Sequence, residues 1–462
     1  MRVAFGAGLA WAGALISFGL ALVYPYFLNM FWQIPDGAQI LRGHLPTSVD
    51  YALTPTHLVS QEWLYEAALA WFVQYGAYGG FVLVCAVASG ATPLLAYAAI
   101  RAFGIGDVAA GIAAFLVVGS RFSGSAIRSE TFAVDAFALT ILVLAGRARV
   151  WWVLPIVVLW ANVHASVILA PVAALVFAAG EAVGSGLGSE RTKRAATIAG
   201  LAALATLLTP HGIGLWTYAL ALTLGENPVR QHLDVWRPLS FADAGTLAAV
   251  LPGLVVLLVL GLTIQRRNAA EIALAALGFT LAVMHERYET FLVIAWGPAL
   301  ARSLERIPAL ERFSARRPSA AAGVVLALMP VALYAALRVP AALHADVEPS
   351  GPWQDAAAIA REHHLHGAAY VDYTWAAFLH WRGLPLRFLI DSHGDPYPKD
   401  VWDDHLALKE AHPNWREVLE RRHIGVVILP TDAPLNAALS LDRAWQFVET
   451  RGKATAYVLR GR

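Results

Sequence analysis

Acids and histidines crowd one short stretch of an otherwise apolar chain. Residues 31–62 read FWQIPDGAQILRGHLPTSVDYALTPTHLVSQE and hold Asp36, His44, Asp50, His57 and Glu62. A carboxylate at the edge of an apolar phase, partly desolvated, can take a proton from an acceptor hydroxyl. The competing reading is local. Asp36 begins a short amphipathic helix as its N-cap, and Glu62 opens another that runs to about Gln74. Leu64, Ala68 and Trp71 share one face of that second helix. A long loop with many aromatics and few charges reads as ordered and functional rather than as a tether.

Arginines form the second group. Arg121, Arg128, Arg230, Arg237 and Arg287 fall in loops or at the ends of apolar runs. Ionisable groups at membrane depth face a cavity or a partner, and a guanidinium fork matches phosphate oxygens. The plainer reading pairs Arg128 with Glu130, and Arg287 with Glu286 or Glu289. His164 lies beside Asn162 at the apex of an expected hairpin. A packed core imidazole is its ordinary role; together with His57 it can also orient a phosphate. His363, His364 and His366 read as a solvated face, because adjacent helical side chains diverge. Asp391 to Tyr397 reads as a turn whose acids either bind an acceptor or cap the following helix at Asp400, the cap being the plainer role. No HExxH or paired-cysteine spacing is present, so the sequence supports no protein-built metal site and identifies no cofactor. A divalent cation has no support in it either.

The elements that position these groups are set by composition. Of 462 residues, 58% are apolar and 15% charged, against roughly 45–50% and 25% in soluble domains. Mean hydropathy is +0.55. Lys+Arg 34 against Asp+Glu 33 leaves no field for nucleic acid. These values exclude a soluble enzyme, a disordered chain and a nucleic-acid-binding protein. The single cysteine, Cys85, excludes a disulfide framework. Apolar runs lie at 5–30, 78–100, 108–120, 130–146, 150–162, 165–183, 195–209, 245–264, 269–284, 288–302 and 319–340. They predict about eleven transmembrane helices, several of them short enough to need burial inside a bundle. Segment 63–75 fits the membrane interface better than a crossing. With the N-terminus cytoplasmic, Lys and Arg concentrate in the inner loops, as the positive-inside rule requires. Everything after residue 341 is then extracytoplasmic.

The tail is different material. Charge is dense, a helix is expected over 352–365, and strands are expected at 368–371, 386–390, 426–429 and near 454–459. Residues 346–462 therefore read as a small extracytoplasmic α/β domain, and residues 1–345 as the bundle carrying the first outer loop. No dinucleotide fingerprint or P-loop occurs.

Trp32 and Gly37, Leu45-Pro46-Thr47 before Asp50, and Gln61-Glu62-Trp63-Leu64 form one set of short motifs. Trp160-Ala161-Asn162-Val163-His164, Thr209-Pro210-His211-Gly212, Phe378-Leu379-His380-Trp381 and Asp391 to Tyr397 form another. Together they resemble a group of prokaryotic polytopic proteins similar to the GT-C class of membrane glycosyltransferases, which includes protein mannosyltransferases and lipid A aminoarabinose transferases. The resemblance implies a GT-C-like bundle, a catalytic acid in the first outer loop, a polyprenyl-phosphate sugar donor and an acceptor entering from outside. Related sequences carry Asp-x-x-Trp-His at the start of the loop, where this chain has Asn29-Met30-Phe31-Trp32-Gln33. The base then falls to Asp36 or Asp50, with Glu62 beside them. The donor phosphate falls to Arg128, Arg237 and Arg287, oriented by His57 or His164. The expected function is an inverting glycosyltransferase of the prokaryotic inner membrane. The alternatives are a non-catalytic lipid-linked-sugar binding or cell-envelope assembly protein and, third, a transporter.

Overall fold

Apolar runs become helices because a backbone removed from water must satisfy its own hydrogen bonds. The computed structural model describes residues 4–23, 29–121, 127–146, 148–225, 228, 269–285, 288–316, 322–345, 347–348 and 350–461. Among these, Phe5–Val23, Tyr78–Ala102 and Ala165–Ser185 are long and apolar enough to cross a bilayer. Asp107–Val118, Val150–Ala161, Gly214–Leu224, Ala269–Met284 and Ala332–Leu343 are shorter apolar helices. The expected count of about eleven crossings, several of them short, is not confirmed among the described residues, and the run at 245–264 lies outside them. The first run, expected over 5–30, forms a helix over Phe5–Val23, and residues 24–28 lie outside the described residues.

The chain divides into two units. One comprises Met1–Pro25, Ala77–Leu220 and Leu233–Ala345; the other comprises Tyr26–Gly76, Ala221–His232 and Asp346–Arg462. The first loop, expected with the bundle, clusters with the tail. Within the first unit, helix Phe5–Val23 packs on Tyr78–Ala102 and Asp107–Phe115. Asp107 accepts from the Gly6 and Ala7 amides at 2.6 and 3.1 Å and from the Tyr97 hydroxyl at 2.6 Å. A carboxylate there satisfies open amides at the positive end of a helix. Arg302 forks onto Glu271 with two 2.6 Å bonds.

The second unit is built on a five-stranded sheet of order β2-β1-β3-β5-β4. The strands are β1 (Gly367–Val371), β2 (Leu386–Phe388), β3 (Val426–Pro430), β4 (Trp445–Arg451) and β5 (Ala454–Leu459). β1 pairs in parallel with β2 and β3, and β5 runs antiparallel between β3 and β4. The first loop extends this sheet: Phe388 donates to the Tyr51 carbonyl at 2.9 Å and Leu53 donates back to Phe388 at 2.8 Å. Arg422 fixes the same stretch by donating to Thr54 Oγ1 at 3.2 Å while it holds Asp404 and Asp400. Helix Met30–Leu41 is seated by Phe31, whose ring meets Phe378 at 4.8 Å and Trp381 at 5.6 Å. Burying a side chain of this size stabilises by roughly 1.5–3 kcal/mol.

Candidate active site

Two neighbouring segments of the first loop, helix Met30–Leu41 and the stretch around Tyr51, and the distant turn after β2 supply the centre of the second unit. The turn is built by its own side chain. Asp391 Oδ1 accepts the His393 amide at 3.1 Å, an Asx-type turn that folds the imidazole back onto its own carboxylate. Gly394 then takes a positive φ of 74° that other residues resist. His393 Nδ1 lies 2.9 Å from Asp391 Oδ2, and Nε2 lies 3.2 Å from Asp36 Oδ2. Tyr397 donates to Asp391 Oδ1 at 2.9 Å, and Tyr51 donates to Oδ2. Trp32 stacks on the His393 ring at 4.2 Å, one helical turn before Asp36. The result is a chain of contacts, Asp36–His393–Asp391, with two phenols closing its inner end.

Charge follows from the geometry. Burial opposes a charged His393, but Asp391 and Asp36 more than offset it and push the imidazole up to about 10. Burial by itself would raise Asp391; the imidazolium and its donors hold it below the ordinary carboxylate range instead. Burial, then Asp391, raises the Tyr51 phenol, which stays a donor. His380, stacked on Tyr51 at 3.7 Å, is shifted down chiefly by burial and so favours its neutral form. Side-chain exposure grades along the chain from 0% at Asp391 and 2% at His393 to 9% at Asp36. Asp36 is therefore its outer end.

A second helix brings more acid. Trp63–Gln74 crosses Met30–Leu41 so closely that a Cβ on Gly37 would lie 2.0 Å from the Glu66 carbonyl oxygen. Glu66 is buried, and its Oε2 has no hydrogen-bond partner among the described residues. Burial, then the Asp36 and Glu62 charges, push its carboxyl well above the usual range and favour the neutral acid. Glu62 is held by Gln33 Nε2 at 3.0 Å and Gln61 Nε2 at 2.6 Å.

These positions revise several expectations. Asp36 is no N-cap: its helix starts at Met30, and Asp36 is buried in its middle. Asp50 is exposed and accepts from Ser48 at 3.0 Å; the neighbouring Tyr51 points inward in its place. His57 is exposed and takes no part in the Asp36 cluster. Glu62 does precede its helix but makes no capping hydrogen bond. Asp391, expected in a turn whose acids bind an acceptor or cap the next helix, is fully buried at the inner end of the site. His393, Tyr51, Tyr397 and Glu66 were not legible as site residues.

In the other unit, Arg128 Nη1 lies 3.8 Å from Glu130, the plainer of its two expected roles. His164 accepts the Ser166 amide on Nδ1 at 3.1 Å, which places its proton on Nε2, 3.8 Å from Glu130. It caps the turn Ala165–Ile168, as a core imidazole would. Arg237 and Arg287 lie outside the described residues. Among the described residues no three His, Cys, Asp or Glu side chains gather as a metal-ligand set.

No protein-family model matches the chain, and no curated protein matches it significantly. Solved structures do. One is the archaeal oligosaccharyltransferase AglB from Archaeoglobus fulgidus, in complex with an inhibitory peptide and a dolichol-phosphate. It aligns with a TM-score of 0.59 at 12% identity, covering 97% of this chain and 74% of that one. A crystal structure of the Archaeoglobus fulgidus oligosaccharyltransferase with Zn and sulfate aligns at 0.58 and 12% identity, over 98% and 73%. Its apo form aligns at 0.54 and 13% identity, over 92% and 69%. At such identities the likeness concerns the fold. With its apolar helices and small C-terminal sheet, this membrane protein has the GT-C fold that the archaeal oligosaccharyltransferases display.

Proposed function

We propose that this protein is a membrane glycosyltransferase that moves a sugar from a polyprenyl-phosphate-linked donor to an extracytoplasmic acceptor, with inversion. The observation that carries the reading is the Asp36–His393–Asp391 chain on a GT-C fold. His393 occupies one oxygen of Asp36, leaving Oδ1 to accept the acceptor's proton. The acceptor oxygen attacks the anomeric carbon, the bond to the phosphate oxygen breaks, and the phosphate departs with the electron pair. A base held by a fixed imidazolium needs no reorganisation as the proton arrives. Tyr51 and Tyr397 act on Asp391, and so position rather than react. Glu62 is a second acid near the same helix; Asp50, exposed and turned away, is the weaker candidate. Arg128, with Arg237 and Arg287, would bind the leaving phosphate, and His164 would orient it. The dolichol-phosphate bound to AglB supports a lipid-phosphate donor. The protein would lie in the prokaryotic inner membrane, with its N-terminus cytoplasmic and the 346–462 domain outside.

Two observations favour a second reading, a non-catalytic lipid-linked-sugar binder. His393 and Asp391 are almost wholly buried, as a structural clamp would be, and Asn29 and Gln33 stand where related sequences have Asp and His. Purified protein in vesicles with a radiolabelled polyprenyl-phosphate sugar separates the two. Label passing to an acceptor under a broad acceptor screen supports the transferase; saturable donor binding without transfer supports the binder. Solute flux across the vesicle without either would revive a transporter.

A further inference from the structure

A proton that Asp36 takes from an acceptor must leave again before a second turnover, and several groups around Asp36 cannot receive it. His393 is already an imidazolium whose ring nitrogens face Asp391 at 2.9 Å and Asp36 at 3.2 Å. Both nitrogens carry hydrogen, so neither has a lone pair to offer. Glu66 is held neutral by burial and by the acids beside it. Tyr51 and Tyr397 donate their hydroxyl protons to Asp391. Glu62 is covered by the Gln33 and Gln61 amides at 3.0 and 2.6 Å. Asp36 itself exposes only 9% of its side chain.

His380 is different. It lies on the short helix Ala376–Trp381, whose Phe378 and Trp381 also seat Phe31 of the helix carrying Asp36. Its ring stacks 3.7 Å from that of Tyr51, with 23° between the planes. The residue is half-buried, whereas Asp391 and His393 are sealed. Among the described residues neither ring nitrogen makes a hydrogen bond. Burial, the largest influence, and His393 disfavour its charged form; Asp391, Asp36 and Asp50 act the other way and do not prevail. The ring is therefore neutral and keeps one lone pair vacant. An imidazole ordinarily binds a proton more tightly than a carboxylate does, and still releases it near neutral pH.

We propose that His380 is a further catalytic residue, the proton outlet of the site. Once the acceptor's proton has reached Asp36, the new carboxylic O–H bond breaks and the proton passes through one water to a ring nitrogen of His380. The imidazolium so formed gives it to solvent, which restores the carboxylate and the neutral ring. The step rests on the transferase reading and adds to it how the base is reset.

Full-length protein in vesicles tests it in two ways. Diethylpyrocarbonate, which acylates neutral imidazole, should modify His380 of the native protein while His393 stays protected, as mapped by peptide mass spectrometry. An unreactive His380 overturns the proposal whether or not transfer is seen. His380→Phe keeps a ring over Tyr51 and removes the lone pair. Its first turnover from the radiolabelled polyprenyl-phosphate sugar should stay near native, while steady-state turnover falls by about 10²-fold. The native steady-state rate should drop as pH falls through a midpoint below the ordinary 6.5, and the variant should lose that limb. In His380→Ala, added imidazole should restore turnover, which a merely structural ring would not allow. Native steady-state turnover in His380→Phe, with Asp36→Asn inactive, would overturn the outlet and leave the transferase reading standing. A first turnover lost along with the rest, and not rescued by imidazole, would likewise overturn it. No transfer by the native protein would overturn both.

Discussion

His393 is a cation between two buried carboxylates, and its worth is visible in what its loss would leave. His393→Gln strands Asp36 and Asp391 without their counter-charge. Removing one partner of a buried ion pair costs about 3–5 kcal/mol, so the variant should melt earlier in detergent, with the loss concentrated in the second unit. The pH dependence has a definite sign. The folded imidazole is pushed up to about 10 from an ordinary 6.5, so its contribution is fully present below about 6.5 and is lost as pH rises through about 10. Glu66 works in the same direction, since burial favours its neutral form. Asp391 is shifted down, so its own contribution disappears only as pH falls through the acid range. Melting curves should therefore decline on the alkaline side, and His393→Gln should flatten that decline; an unchanged slope would mean another group controls it. The sequence exposes Asp36 as an acid in a suggestive loop. It hides the partner, which lies 357 positions away in a stretch whose Gly and Pro advertise a turn.

At the scale of elements, the site depends on two short helices meeting at a glycine. Gly37→Ala places a methyl against the Glu66 backbone, 2.0 Å from its carbonyl oxygen. The helices must part, at about 1–3 kcal/mol by comparison with other overpacked contacts. Hydrogen exchange should show faster opening in 30–41 and 63–74 together, while β1 and β3 stay protected. Much of this layer is legible beforehand. The apolar runs at 368–371, 386–390, 426–429 and 454–459 correspond to β1, β2, β3 and β5. The missed strand, β4, reads Trp-Gln-Phe-Val-Glu-Thr-Arg, and its polar residues are those of an exposed sheet edge. Asp36 was misplaced for a different reason. Pro35-Asp36 has the chemistry of a helix start, yet the helix runs through Pro35, with Phe31, Trp32 and Ile34 buried before it and Asp36 and Gly37 buried after it.

For the whole molecule, hydropathy predicts the class of fold and sequence similarity says almost nothing. The chain superposes on AglB over 97% of its length at 12% identity, so what persists is the alternation of apolar helices and the sheet, not the side chains. The first loop joins the tail for a reason no local pattern contains: Tyr51 and Asp36 are completed only by residues after 378. Asp36 is buried against His393 while Asp50 is exposed, which separates the two acids the sequence leaves as alternatives. Single-turnover transfer from a radiolabelled polyprenyl-phosphate sugar decides it, comparing the native protein with Asp36→Asn and Asp50→Asn. General-base removal costs about 10²–10⁴-fold, so the account predicts a loss of that order in Asp36→Asn, with donor binding intact and Asp50→Asn near native. Undiminished transfer in Asp36→Asn, or its loss in Asp50→Asn alone, would contradict it.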